Sequence, residues 1–337
     1  LSSPPMKPSL GLSMAALTLA WGRGRHGVLG DGSEEEHVQL SAPRPVSGPL
    51  AGRRVAQLCC GELHTLALVA DSGAVFSWGS GLMGALGHGG RANELVPRRV
   101  DGVPFATQLA AGKHHSAALC PDGGGAVLAW GWDGWEGSSC TKTPTRLTHL
   151  PAGGSRQLAA GAFHLAVLTR SDGVVSSGGG VMHAGMLREA AVVHIASGTR
   201  HIAALTADAA VFVWSHAPTP TTATPLSTHA HESSHALPQP MRCGWLDGAL
   251  RVVCGGDYTI ALLTAAHGQR IVRWQHVSAA DGANVTAHGG SHDPRDAGEV
   301  AADGVENLSA GGGYVIALLA DGGALCVTAG ALCVARG

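Results

Sequence analysis

The chain has 337 residues, of which 45% are hydrophobic and only 14% charged, with 22 Lys+Arg against 24 Asp+Glu and a formal net charge of −2. That balance excludes a largely disordered chain, a long coiled coil and a surface built to grip a nucleic-acid backbone by bulk charge. Glycine numbers 50, about twice ordinary usage, with no Gly-X-Y period, which excludes collagen and points to many tight turns between short strands.

In chain order, residues 1–14 read as an N-terminal extension. Met6-Lys7 and the apolar stretch from position 10 to 20 have the form of a signal peptide. The end of that stretch, Leu17-Thr18-Leu19-Ala20-Trp21-Gly22, recurs inside later repeats, so it is assigned to the fold instead. The chain starts at Leu1 rather than Met, as a fragment or a processed product would. No apolar run approaches the roughly 20 residues that cross a bilayer as a helix.

Internal repeats follow. Gly61-Glu62-Leu63-His64-Thr65-Leu66-Ala67-Leu68 returns in variant form from Gly112 with His115, from Gly161 with His164 and from Gly198 with His201. Weaker copies start at Gly255 and Gly311, with Tyr258 and Tyr314 in the His position. A second landmark trails each copy, at Trp78, Trp130, Gly178, Trp214, Trp274 and Thr328. Each repeat predicts two short apolar strands joined by a polar turn such as Asp71-Ser72-Gly73 or Asp122-Gly123-Gly124. Continuous apolar runs suit strands buried on both faces, and units of about 50 residues that bury their faces against neighbours imply a propeller or a solenoid. The orphan half-repeat at Trp21 favours a closed ring.

The repeats resemble the regulator of chromosome condensation repeat family: Gly-x-x-His-[Thr/Ser]-x-Ala-Leu, a turn, a strand ending Trp-Gly, then Gly-x-x-Gly-x-Leu-Gly-x-Gly. The whole pattern stands at residues 61–89, and its second half again at 24–32; the match is strong over 15–170 and decays after about 175. The resemblance implies an all-β, seven-bladed β-propeller over residues 15–337, closed by its N- and C-terminal segments, with six blades as the alternative count. Some members of that family exchange nucleotide on a Ran-like small GTPase, with contacts from an acidic residue and a His just before the repeat His. Those positions here are Leu63, His114, Phe163, Arg200, Asp257 and Gly313, of which His114 and Asp257 offer that chemistry. Light-sensing members place Trp after the leading glycine, where this chain has Glu62, Lys113, Ala162, Thr199, Gly256 and Gly312. The resemblance therefore does not extend to photoreception by those tryptophans. A basic tail for nucleosomes is not matched either.

Three motifs have a chemical look. Gly22-x-Gly24-x-x-Gly27 and Gly79-x-Gly81-x-x-Gly84 satisfy a dinucleotide fingerprint, but both fall at one place in the repeat and lead into more turn, not a helix. His231-Glu232-Ser233-Ser234-His235 matches a zincin, yet Pro225, Pro238 and Pro240 and many Ser and Thr flank it, which suits a loop over 216–240. Trp130-Gly131-Trp132-Asp133-Gly134-Trp135 is an aromatic cluster in which only Trp132 and Trp135 exceed the repeat, so both are candidate contact residues. The eight cysteines form no Cys-x-x-Cys pair, and reduced thiols in an intracellular protein are expected, whether cytoplasmic, nuclear or organellar.

The sequence therefore predicts a non-enzymatic protein-interaction scaffold without a cofactor. Its partner-facing candidates are His114, Trp132, Trp135, Arg200 and Asp257. Gly61, His64, Trp78, Gly112, His115, Trp130, Gly161, His164, Gly198, His201 and Trp214 hold the repeat together. The alternative is a guanine nucleotide exchange factor for a Ran-like GTPase, and a metal-dependent hydrolase on His231 and His235 is a distant third. The expected partner is a protein, with neither nucleic acid nor membrane.

Overall fold

A computed structural model describes residues 17–335 apart from 34–38, 133–139, 149, 151–153, 171–172, 179–180, 188, 216–239, 266–267, 276–298, 302–303, 312–313, 321–323 and 329–330. In chain order, β1 (Leu19–Arg23) pairs antiparallel with β2 (Gln39–Pro45) as a two-stranded sheet. β3 (Val55–Cys60), β4 (His64–Val69), β5 (Val75–Gly79) and β6 (Glu94–Arg99) form the next sheet, in that order. β7 (Gln108–Ala111), β8 (His115–Cys120), β9 (Ala126–Gly131) and β10 (Thr141–Arg146) repeat it, as do β11 (Ser155–Ala160), β12 (Leu165–Thr169), β13 (Val174–Gly178) and β14 (Val181–Met186). Then come β15 (Val192–Ser197), β16 (His201–Thr206), β17 (Val211–Ser215) and β18 (Met241–Arg242), followed by β19 (Ala249–Cys254), β20 (Tyr258–Ala265), β21 (Gly268–Gln275) and β22 (Glu299–Ala301). The last sheet is β23 (Val305–Ala310), β24 (Tyr314–Leu319), β25 (Ala324–Thr328) and β26 (Ala331–Ala335). Every pairing is between chain neighbours and antiparallel, so the described residues form a ring of sheets built as β-propeller blades.

The repeat period marks the two middle strands of each blade, and the structure adds one strand on either side. The middle strands are apolar because they are covered on both faces: every residue of β4, β8 and β16 is buried. Three of the outer strands, β2, β6 and β10, escaped the sequence reading because they carry Pro and Arg, as in Pro43-Arg44, Pro97-Arg98-Arg99 and Pro144-Thr145-Arg146. Proline cannot donate to a further strand and exposed arginines discourage one, so these residues suit a blade's outer edge. The turn expected at Asp122-Gly123-Gly124 is a single helical turn, Asp122–Gly125.

Buried clusters sit between successive blades. Leu66, Leu68 and Val75 of the second sheet close on Leu109, Ala118 and Trp130 of the third. Val46 and Leu50, after β2, meet Ala67, Phe76 and Trp78 in the same way, and the series continues to the contact of Tyr258 and Ile260 with Leu308 and Val315. The inner strands β3, β7, β11, β15, β19 and β23 touch in that order, whereas no comparable contact among the described residues joins β23 back to β3.

Candidate functional site

Two landmark tryptophans of the repeat tie their blade to the preceding one. Trp78 Nε1 donates to Val28 O at 2.9 Å and Trp130 Nε1 to Ala85 O at 2.8 Å. The glycine-rich turns that mimic a dinucleotide fingerprint thus use a carbonyl to receive the tryptophan of the following blade. Short backbone bonds close these turns, including Gly84 N to Gly81 O at 3.0 Å and Gly87 N to Gly84 O at 3.0 Å.

The repeat histidines are fully enclosed. His64 Nε2 lies 2.9 Å from Ser116 Oγ, which donates to Ala85 O at 2.8 Å. A hydroxyl has one proton, so Nε2–H of His64 is the donor in the first contact. His201 Nε2 makes the matching contact with Thr259 Oγ1 at 3.0 Å. Where tyrosine replaces histidine, Tyr258 Oη donates to Gly311 O at 2.6 Å. Burial, with smaller contributions from neighbouring His115 and His114, lowers His64 to about 3, and burial is also the main cause that brings His115 and His201 to about 4. These imidazoles are neutral at physiological pH.

The leading glycines line the hole around which the blades stand. At Gly112 a Cβ would sit 2.1 Å from Cε1 of its own repeat's His115 and 2.5 Å from Gly161 O of the next blade, and Gly61, Gly161 and Gly198 are hemmed in the same way. One residue on, backbone bonds run from blade to blade: Lys113 N to Ala162 O, Ala162 N to Thr199 O, Thr199 N to Gly256 O and Gly256 N to Gly311 O, at 2.7–3.3 Å. Together they frame an open cavity of about 460 Å³ whose wall is largely glycine and small residues.

Around this mouth the Gly-x-x-His loops carry the predicted contact residues. His114 and Trp132 come together: Trp132 N donates to His114 O at 2.9 Å. The Trp132 ring meets Phe163 edge-on at 6.0 Å, and Lys113 Nζ stands 5.5 Å from the centroid of Phe163. Glu62 Oε2 lies 3.3 Å from Lys113 Nζ and 3.9 Å from His114 Nε2. Burial lowers the His114 pKa, against the pull of Glu62. Arg200 and Asp257 occupy the same loop position two and three blades further on and are exposed. Trp135 and the 216–239 stretch, with His231, Glu232 and His235, lie outside the described residues.

Glu62, Lys113 and Phe163 join this surface without having been singled out from sequence. Lys113 sits one place before His114 and Phe163 holds the His114 position of the next repeat, so the repeat alignment was the available signal. Cys60, which is exposed, and Cys254 also line the cavity; burial raises the Cys254 thiol to about 12, which keeps it protonated. Among the described residues no group of three His, Cys, Asp or Glu could hold a metal ion, and no helix is long and apolar enough to cross a membrane. The geometry offers an aromatic anchor with a charged border beside a glycine-lined hole.

A family model for the regulator of chromosome condensation (RCC1) repeat matches residues 18–68 and 72–119. That stretch carries RCC1 repeats. The ultraviolet-B receptor UVR8 of Arabidopsis thaliana is 30% identical over 218 residues, 58% of this chain and 48% of that protein. The E3 ubiquitin-protein ligase HERC2 of Homo sapiens is 27% identical over 280 residues, 75% of this chain but 6% of that protein. The chain thus spans about half of the one relative and a small part of the other. Among solved structures, Prp20p of Saccharomyces cerevisiae superposes with a TM-score of 0.71 at 22% identity, over 94% of this chain and 82% of that one. Human WBSCR16 follows with 0.63 at 20% identity, over 89% and 80%. These likenesses establish the RCC1-type propeller fold.

Proposed function

We propose that this RCC1 repeat propeller is a non-enzymatic scaffold that binds a protein partner on the face carrying the Gly-x-x-His loops. The observation that carries the reading is the cluster at the mouth, where Phe163 is 36% exposed, meets Trp132 edge to face and is bordered by Lys113 and Glu62. An aromatic anchor with a charged rim is how binding energy concentrates in protein interfaces. Arg200 and Asp257 extend the rim, and the 216–240 loop is assigned to the same partner. The partner belongs to an intracellular compartment, in keeping with eight cysteines and no Cys-x-x-Cys pair.

The test is affinity capture with the wild type, Phe163→Ala and, as a control away from the mouth, Arg242→Ala. A protein retained by wild type and Arg242→Ala but lost with Phe163→Ala supports the face; retention by all three sinks it. A second reading is guanine nucleotide exchange, favoured by the likeness to Prp20p, whose structure is described together with its binding to Gsp1p and histones. Exchange needs only a surface that prefers the nucleotide-free GTPase, which a loop face without catalytic groups can supply. Release of a fluorescent guanine nucleotide from a Ran-like GTPase separates the two. Acceleration that falls with His114→Ala or Asp257→Ala would replace the scaffold reading, and an unchanged rate leaves it in place.

A further inference from the structure

Two bulged inner strands shape the end of the hole remote from the Gly-x-x-His loops. The pairing of β11 slips between Ser155 and Gln157, and that of β15 between Val192 and His194, which makes Arg156 and Val193 the extra residues. Both stand at the start of strands that run toward the leading glycines, so they belong to the face opposite the aromatic cluster. Here a second open cavity, of about 450 Å³, is lined by Thr107, Gln108, Arg156, Gln157, Val193 and His194, and no carboxylate stands in its wall.

Few of these groups have hydrogen-bonding capacity to spare. Gln108 and Gln157 spend both ends of their amides on Leu158 and Ile195 of the neighbouring blades. Thr107 Oγ1 gives its proton to Leu119 O. Arg156 donates from Nη2 to Val192 O, which holds its guanidinium against the start of β15; its other N–H groups have no protein acceptor among the described residues. His194 holds the repeat position of those glutamines, yet its Nδ1 is buried with no hydrogen-bond partner among the described residues. Burial, and after it the nearby Arg251, lowers the His194 pKa, so the ring is neutral with one N–H to give. Arg251 holds the same position one blade further on. Its bond from Nη1 to Asn307 Oδ1, at 2.6 Å, leaves its charge without a carboxylate.

We propose that this end of the hole binds a small phosphorylated molecule, its phosphate held by Arg156 and His194 in the field of Arg251. The groups left over in the cavity are donors, and the charges beside them are positive, which selects an anion. The fork of a guanidinium matches two oxygens of a phosphate and leaves a third for the imidazole N–H. A bare phosphate does not fill 450 Å³, so the remainder of the molecule lies along Val193, which is 49% exposed. The site is independent of the Gly-x-x-His loop face, and the failure of either reading leaves the other standing.

The experiment is calorimetric titration of the full chain with pyrophosphate at constant ionic strength, with circular dichroism to show that each variant is folded. Binding should saturate at one site per chain. Arg156→Gln should weaken it at least about tenfold. His194→Gln, which installs the amide found at positions 57, 108 and 157, should weaken it severalfold without lowering the melting temperature. Arg251→Gln should weaken it by a smaller factor that shrinks as salt is raised, and Arg242→Ala, in the outer strand β18, should leave it unchanged. Absence of saturable binding to the folded wild type overturns the proposal, as does an affinity that Arg156→Gln leaves unchanged. A loss in Arg242→Ala equal to that in Arg156→Gln overturns it in favour of diffuse surface charge. Equal affinity for succinate overturns the phosphate assignment. Retention on vesicles containing phosphatidic acid without binding of pyrophosphate overturns it in favour of a membrane surface.

Discussion

At Gly112 the constraint is steric: a methyl group would overlap His115 of its own repeat and the carbonyl of Gly161 in the next. Neither neighbour can retreat, since both belong to buried strands or to the inner ring of backbone bonds. Gly112→Ala is expected to cost about 2–4 kcal/mol. Gly102→Ala, which meets nothing within 4 Å but has φ of +79°, should cost about 1 kcal/mol. Denaturant unfolding of the two variants checks the difference. The histidines make the second residue-scale case. Their folded pKa values of about 3 and 4 lie below the unfolded value near 6.5, so the unfolded chain binds protons first as the solution is acidified. The stability they contribute is therefore complete above pH 6.5 and is lost as pH falls toward 4, by about 1.4 kcal/mol per unit for each buried histidine. His201→Tyr, which installs the residue found at position 258, should reduce the loss between pH 7 and pH 5 by about 2 kcal/mol. Thermal melts across that range decide it.

Between strands, a repeated amide does what the apolar pattern alone does not. Gln57 Oε1 accepts from Leu109 N at 2.8 Å while its Nε2 donates to Leu109 O at 2.9 Å. Gln108 clasps Leu158 in the same way, at 2.9 and 3.1 Å, and Gln157 clasps Ile195. Each side chain stands in for a missing strand, satisfying an inner-strand N–H and C=O that face the preceding blade instead of their own sheet. Gln108→Leu should cost about 1–3 kcal/mol by leaving both groups of Leu158 unpaired, and faster hydrogen exchange at the Leu158 amide would locate the effect. The glutamines stand four places before Gly61, Gly112 and Gly161, so they were legible as a repeat feature. The later repeats have His194, Arg251 and Asn307 there, which hid the period. Lys113 and Phe163 were hard to foresee for a related reason: they meet across a blade boundary, and neither is unusual within its own repeat.

Across the whole ring, the same repeat position has different energetic weight according to what stands beside it. Leu109 is 1% exposed and Leu58 is 47% exposed, although both stand three places before the leading glycine of their repeat. Leu109→Ala should destabilise the protein by about 2–5 kcal/mol, while Leu58→Ala should change it by less than about 1 kcal/mol. Equal losses in denaturant unfolding would mean that Leu58 is covered in solution. Burial of Trp78 and Trp130 against the preceding blade makes each interface a cooperative element, so stability of this ring is carried by blade contacts more than by any one sheet.

The sequence by itself determined the class of the fold, because short apolar runs separated by Gly and Asp turns at a steady spacing can be buried only by stacking on copies of themselves. It also determined that His64, His115, His164 and His201 recur once per blade instead of converging on one centre. Tertiary structure alone decided the outer strands, of which β2, β6 and β10 carry Pro and Arg that obscure the strand signal, and the inner clasps, which exist only when two blades meet. It alone brought Glu62, Lys113, His114, Trp132 and Phe163 onto one surface. Those outcomes depend on which blade lies next to which around the ring, a long-range arrangement that local periodicity does not encode.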